Sequence, residues 1–350
     1  MQAVVKYQKG HGNVALMEVP DPVCAPNQVI LKVHACGICG TDLHVYHDSF
    51  RNFPPVILGH EFSGTVVEIG ADVKNVHLDE AYAVLGATAV TCGKCAYCYN
   101  GEFMFCSNRR GMGHGVNGAF TEYVAVRPDQ LFPIAGHLPM RVGALVEPLA
   151  VAVHAVCERA RFRFGDVVLL SGPGPIGLLC LKLLAAQGIH TIVAGTSADG
   201  MRLQKALQYG AARVVCVDQE DLGEVIKEET RGVGADLAIE CAGVEGSVRN
   251  CIQALRPLGH YVQVGHFGKD LLVPWDLLAF RQLNVSGSVG YTRDTWFQTV
   301  RILEQGNLNV EDVITHELPL ADWQKGFELS EKKNAVKVLL YPQYASAQKQ

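Results

Sequence analysis

The hydrophobic pattern changes character once along the chain, near residue 153. Before it, apolar and polar positions alternate in short runs, as in Val4-Val5-Lys6-Tyr7 and Val29-Ile30-Leu31-Lys32-Val33, with turn clusters such as Pro20-Asp21-Pro22 between them. Alternation at a period of two with such breaks predicts antiparallel strands. After it, buried-type runs alternate with helical stretches. Strands are expected at Asp166–Ser171, Thr191–Ala194, Arg213–Asp218, Ala235–Cys241, His260–Gly265 and Leu283–Ser288. Helices are expected at Leu178–Gln187, Glu220–Glu229 and Val248–Leu255. That rhythm predicts a doubly wound parallel sheet. A helix over Asp294–Glu304 then returns the chain to the first domain, which the C-terminus completes, and Ala345–Gln350 is expected to fray. The fold expected is α/β: a Rossmann domain at 153–289 inserted in a β-rich domain formed by 1–152 and 290–350.

Composition narrows this picture. A chain of 350 residues suits two domains, and 49% hydrophobic with 19% charged residues is globular. A formal charge of -5 offers no basic footprint for nucleic acid, and no apolar run reaches membrane-spanning length. The N-terminus reads as a strand rather than a signal peptide. Twelve cysteines in such a chain point to metal binding and reduced thiols in a cytoplasmic setting.

Four stretches carry chemistry. Gly59-His60-Glu61-Phe62-Ser63-Gly64, with Gly70, places an imidazole beside a carboxylate between two strand-like runs. Cys36-Gly37-Ile38-Cys39-Gly40-Thr41-Asp42-Leu43-His44 adds thiols, a hydroxyl, a carboxylate and a second imidazole. Cys92, Cys95, Cys98 and Cys106 follow a C-x2-C-x2-C-x7-C spacing. Cysteines so close are poorly placed to bridge each other, whereas four thiolates close a tetrahedral structural zinc site. Gly172-Pro173-Gly174-Pro175-Ile176-Gly177 is a G-x-G-x-x-G between a strand and a helix. There the first glycine makes the turn, the second admits a pyrophosphate, and the third lets helix and strand pack.

Together these stretches resemble the zinc-dependent medium-chain dehydrogenase/reductase family of alcohol, sorbitol and threonine dehydrogenases. Gly59 through Gly70 matches that family's G-H-E-x2-G-x5-G at every fixed position, and the likeness runs from about residue 20 to about 340. The resemblance implies a GroES-like catalytic domain, with the active site in the cleft beside the Rossmann domain. It implies a catalytic zinc held by Cys39, His60 and Glu147, with Glu61 neighbouring and entering its shell transiently. Thr41 and His44 would relay the substrate proton, and Asp42 would orient the ligand histidine or cap a helix. Glu147, where many alcohol dehydrogenases carry cysteine, points toward the sorbitol and threonine side. Cys36 stays a core thiol, and Phe120 is expected to line the substrate pocket. One departure stands out: the family's Gly-Asp-Arg-Val turn reads Asp79-Glu80-Ala81-Tyr82 here.

Counting from Gly177 puts Thr196 where NAD-binding relatives carry an acid. Thr196 and Ser197 leave room for a 2′-phosphate, and Arg202 is near enough to pair with one, which favours NADP. Asp199 reaching the ribose would favour NAD, and Arg202 as a solvated helix charge is equally open. Cys157, Cys180, Cys216, Cys241 and Cys251 read as core thiols. The expected activity is hydride transfer between NAD(P) and the secondary alcohol of a polyol, sugar or 3-hydroxy amino acid. One catalytic and one structural Zn²⁺ and a homodimer or homotetramer are expected. The alternatives are a non-catalytic nucleotide-binding redox sensor or scaffold, and a zinc-stabilised nucleic-acid binder that the charge balance disfavours.

Overall fold

The computed structural model describes residues 1–343; the tail read above as frayed lies outside the described residues. The chain divides into two compact units, Pro148–Gly290 and the remainder, Met1–Glu147 with the residues from Tyr291 onward. The first boundary falls inside the helix Val146–Val153, a few residues before the change of pattern at 153.

The first unit opens with strands β1 (Gln2–Lys6), β2 (Val14–Glu18), β3 (Val29–Gly37), β4 (Val56–Ile57), β5 (Glu61–Ile69), β6 (Ala81–Val84), β7 (Tyr123–Val126) and β8 (Leu131–Pro133). β1 pairs antiparallel with β2 and β4. The turn before β6, which lacks the family glycine, is made by Asp79 at φ 63°. Aspartate tolerates the left-handed region better than most residues, so the turn survives the substitution.

The second unit holds the parallel strands β9 (Val167–Ser171), β10 (His190–Gly195), β11 (Arg213–Cys216), β12 (Ala235–Glu240), β13 (Leu255–Gln263) and β14 (Asn284–Gly287). Their order is β11-β10-β9-β12-β13-β14. This is the doubly wound order, with its switch point between β9 and β12. Leu169, Ile192, Ala238 and Tyr261 lie in its core. Cys180 and Cys251 are buried as expected, but Cys157 is exposed and Cys216 and Cys241 are only half-buried. Cys157 lies in a π-helical segment, His154–Arg159, which shifts the side-chain register off the 3.6-residue period of an α-helix.

The chain then returns to the first unit with helix Arg293–Glu304 and strands β15 (Ile314–Pro319) and β16 (Lys337–Tyr341). β15 and β16 are parallel and extend a seven-stranded sheet of order β15-β16-β3-β5-β6-β8, with β7 also on β3. Its core includes Leu31, Leu58, Phe62, Phe120 and Leu340. Phe120 is wholly buried there, which corrects its expected place in a substrate pocket. The sequence pattern leaves β15, β16 and the helix Trp323–Glu331 unassigned.

Candidate metal centre and dinucleotide site

The register of β16, β3 and β5 brings three distant segments of the first unit together. Gly37, the last residue of β3, lies opposite Glu61 of β5 and Leu339 of β16. A Cβ at Gly37 would stand 2.4 Å from Glu61 Oε2, so only glycine leaves room for that carboxylate. Two residues on, Cys39 caps the helix Gly40–Tyr46. The glycine-rich loop at 111–118 presses on the other side. A Cβ at Gly118 would lie 2.0 Å from Gly59 O, so these glycines admit a protein backbone, the one carrying His60, rather than a ligand.

Cys39, His60 and Glu61 each point one donor atom into a common space, all within 4.8 Å of one another. Asp42 ties two of them together. Its carboxylate, 1% exposed, accepts the Cys39 N–H at 2.9 Å and the Gly59 N–H at 3.3 Å, and stands 3.5 Å from His60 Nδ1. Asp42 is not itself the N-cap, which is Cys39; from the third helical position its carboxylate reaches back to the Cys39 N–H and stands beside His60. Burial disfavours a charged His60, but Asp42 and Cys39 outweigh it and hold its pKa well above the usual value. His60 Nδ1 is buried with no hydrogen bond of good geometry.

Glu61 has a partner the sequence reading missed. Lys337 Nζ donates to Glu61 Oε2 at 2.6 Å and to Ile38 O at 3.0 Å, with both charged side chains 1% exposed. The available signal was a lone lysine in the apolar run Ala335-Val336-Lys337-Val338-Leu339. Glu147 stands outside the three-residue group but within its electrostatic reach. Burial raises its carboxyl to about 7, His60 pulling it down and Glu61 pushing it up. Thr41 and His44 lie on the helix Gly40–Tyr46, and exposed His44 has Nδ1 3.1 Å from Ser49 Oγ. His114 is held down to about 4, chiefly by burial.

The second donor group is local. Cys92, Cys95, Cys98 and Cys106 carry sulfurs within 4.8 Å of one another. Cys95 and Cys98 sulfurs are 3.5 Å apart, and those of Cys92 and Cys98 are 3.9 Å apart. These distances are too long for a disulfide of about 2.05 Å. They match the roughly 3.8 Å between sulfurs at the corners of a tetrahedron with Zn–S near 2.3 Å. A backbone N–H from Lys94 draws the Cys92 thiol down to about 6, toward the thiolate a metal requires.

In the second unit, Gly172 follows β9 at φ 98° and a Cβ there would meet Ala242 N at 2.5 Å. A Cβ at Gly177 would lie 2.1 Å from Gly172 O, which fixes the close packing of the helix Pro175–Ala186. At Gly174, the N-cap of that helix, nothing lies within 4 Å of the Cβ position. Pro175 and Ile176 form the first turn. An open glycine at a helix N-terminus is the cradle an anionic pyrophosphate fits. Glu240, wholly buried at the end of β12, accepts the N–H groups of Ala242 and Gly243 at 2.9 Å and so shapes the neighbouring loop. Arg202 is 7% exposed with Nη1 3.8 Å from Asp199 Oδ1, so it is a buried ion-pair member rather than a solvated helix charge.

The Alcohol dehydrogenase GroES-like domain profile matches residues 25–136, and the Zinc-binding dehydrogenase profile matches residues 175–305. A sorbitol dehydrogenase from Halalkalibacterium halodurans is 35% identical over 343 residues, covering 98% of this chain and 99% of the relative. The chain belongs to the zinc-dependent medium-chain dehydrogenase family. Within this family, an L-threonine 3-dehydrogenase from Caldanaerobacter subterraneus is also 35% identical, over 98% of this chain and 99% of its own length. A zinc-binding dehydrogenase from Sinorhizobium meliloti, solved bound to NADP, superposes with a TM-score of 0.88 at 30% identity, covering 97% of this chain and 99% of that one. The medium-chain dehydrogenase fold expected from the motifs, a Rossmann sheet with a GroES-like domain, is thus the one found. The chain is an oxidoreductase acting on a hydroxy compound with NAD(P). Among the described residues, no helix is long and apolar enough to cross a membrane.

Proposed function

We propose that this dehydrogenase oxidises the secondary hydroxyl of a polyol, sugar or 3-hydroxy amino acid and passes the hydride to NAD(P). The observation that carries the proposal is the grouping of Cys39, His60 and Glu61 donors within 4.8 Å, with the buried carboxyl of Glu147 beside them. A thiol, an imidazole and a carboxylate form the kind of donor set that suits a catalytic zinc. Cys39 and His60 would hold it with a carboxylate from Glu147 or Glu61. Zinc bound there supplies Lewis acidity toward a substrate oxygen, and the nicotinamide supplies the hydride acceptor.

The remaining work falls to the chain's own groups. Asp42 keeps Cys39 and His60 in register, fixing the imidazole as a carboxylate does behind a metal-bound histidine. Lys337 neutralises Glu61, so that the carboxylate stays put instead of competing as a free charge. Thr41 would accept the hydroxyl proton as it passes its own on through the cofactor ribose to His44, exposed at the next turn, which would release it to solvent. Gly172, Gly174, Pro175, Ile176 and Gly177 receive the pyrophosphate. Thr196, Ser197 and Arg202 stand at the adenosine end. Cys92, Cys95, Cys98 and Cys106 would hold a second, structural zinc, four protein donors leaving no position for substrate.

The same reading makes the protein cytoplasmic, in keeping with cysteines that are all free. It also makes it a homodimer or homotetramer. In support, β14 is an outer strand with Val285 52% exposed, and Trp275 and Phe280 just before it are also exposed.

The test is a panel of polyols, sugars and threonine, each assayed with NAD and with NADP. Nucleotide reduction is expected with at least one secondary alcohol. Chelation should abolish it and zinc should restore it. Absence of alcohol-dependent reduction across the panel with either nucleotide refutes the proposal.

A further inference from the structure

In a βαβ nucleotide fold the pyrophosphate sits at the first helix N-terminus, and the adenosine ribose meets the end of the second strand. Here that strand is β10, and the residues just past it are Thr196 and Ser197. An NADP site at this point needs free N–H donors and a cation for the 2′-phosphate, whereas an NAD site needs an acid to receive the ribose hydroxyls. Thr196 is not an acid, yet the donors around it are already taken.

The Thr196 N–H and hydroxyl both donate to Asp199 Oδ2, at 3.1 and 2.7 Å. The Ser197 N–H donates to both oxygens of Asp218, at 2.9 and 3.1 Å, and the Ser197 hydroxyl donates to Asp218 Oδ2 at 2.5 Å. Asp218 comes from the neighbouring strand. β11 pairs with β10 so that Cys216 lies opposite Gly195, and Asp218 follows two residues later. Cys216 Sγ adds a third donor at 2.9 Å. A carboxylate has about four acceptor positions; three donors reach this one, the Ser197 N–H shared between both oxygens, so a ribose hydroxyl takes the position that this shared proton gives up. Asp218 is exposed, and the Cys216 thiol and Ser197 hydroxyl hold its carboxyl down at about 2, so it is charged at neutral pH.

The cations of this region are engaged too. Arg202 lies 3.8 Å from Asp199, and Arg213 Nη2 donates to Glu220 at 2.9 Å. Two of this chain's own carboxylates thus occupy the N–H groups a 2′-phosphate would use.

We propose that Asp218 is the specificity-determining residue for the nucleotide: it stands in for the acid absent at position 196, accepts a ribose hydroxyl, repels a 2′-phosphate, and makes NAD the preferred cofactor over NADP. The proposal rests on the dehydrogenase reading above. It reverses the preference for NADP suggested by Thr196 and Arg202 in the sequence alone.

Fluorescence titration of the zinc-loaded full-length protein with NADH and with NADPH tests it without knowledge of the alcohol. The wild type should bind NADH about tenfold or more tighter than NADPH. Asp218→Asn keeps an acceptor for Ser197 but loses the charge, and should narrow that ratio about tenfold. Asp218→Ser also releases the Ser197 N–H and hydroxyl, and should narrow it at least as far by tightening NADPH. Measurable NADH binding in each variant reports an intact fold. A wild type that prefers NADPH, or a ratio left within about twofold by both variants, overturns the proposal and leaves the dehydrogenase reading standing. Failure of the wild type to bind either nucleotide overturns both.

Discussion

The two donor groups of the first unit are assembled in opposite ways. Cys92, Cys95, Cys98 and Cys106 come from one short stretch, with Cys92 and Cys95 only partly buried, Cys95 at the N-cap of the helix Ala96–Tyr99 and Cys98 within it. Cys39 follows the end of β3 while His60 and Glu61 stand together at the start of β5, and their supports, Asp42 and Lys337, are both 1% exposed. The first group draws its order from the ion it would hold. The second is held by the sheet itself, through the Gly37 gap and the Lys337–Glu61 pair. A site meant to stabilise a loop can be local and saturated with sulfur. A site meant to do chemistry needs unlike donors fixed from outside, with a coordination position left over.

The sharpest way to break this comparison is to exchange one sulfur for oxygen in each group. Cys39→Ser should lower turnover by at least about a thousandfold while the thermal unfolding curve stays near wild type. Cys95→Ser should do the reverse, costing about 3 kcal/mol or more of stability, read from denaturant unfolding, because a lobe that leaves Tyr97, Tyr99 and Phe105 exposed and buries little of its apolar surface loses its ion. An unchanged unfolding midpoint in Cys95→Ser would remove the structural role. Full activity in Cys39→Ser would remove the catalytic one. Asp42→Asn sharpens the contrast at smaller scale. It should lower zinc affinity or kcat/KM by about 10–100-fold, and metal analysis should show the loss at one site only. Equal loss of both ions would mean that Asp42 supports the whole unit and not the His60 orientation.

Local features were legible in the sequence. The four-cysteine spacing and the Gly172–Gly177 turn each draw their geometry from a few consecutive residues, so a linear pattern carries them. What crosses between strands was not legible. Lys337 meets Glu61 only because β16 pairs with β3, and Asp218 reaches Ser197 only because β11 pairs with β10. Phe120 and Cys157 failed for a related reason. Family resemblance suggested a pocket for one and the apolar pattern a core for the other, but burial depends on what packs above each side chain. Arg202 looked like a phosphate partner until Asp199, three residues earlier, took up its guanidinium.

The Lys337–Glu61 pair has a consequence for how the protein is made. Synthesis runs from the N-terminus, so the cysteine lobe can capture its ion while the remainder of the chain is still on the ribosome. The Cys39 centre has no such head start. Its carboxylate carries an uncompensated charge until the closing strand of the polypeptide is threaded into the sheet. A prematurely terminated product lacking β16 would keep the four cysteines but lose the cation that neutralises Glu61, which ties catalytic competence to having been translated through to that strand.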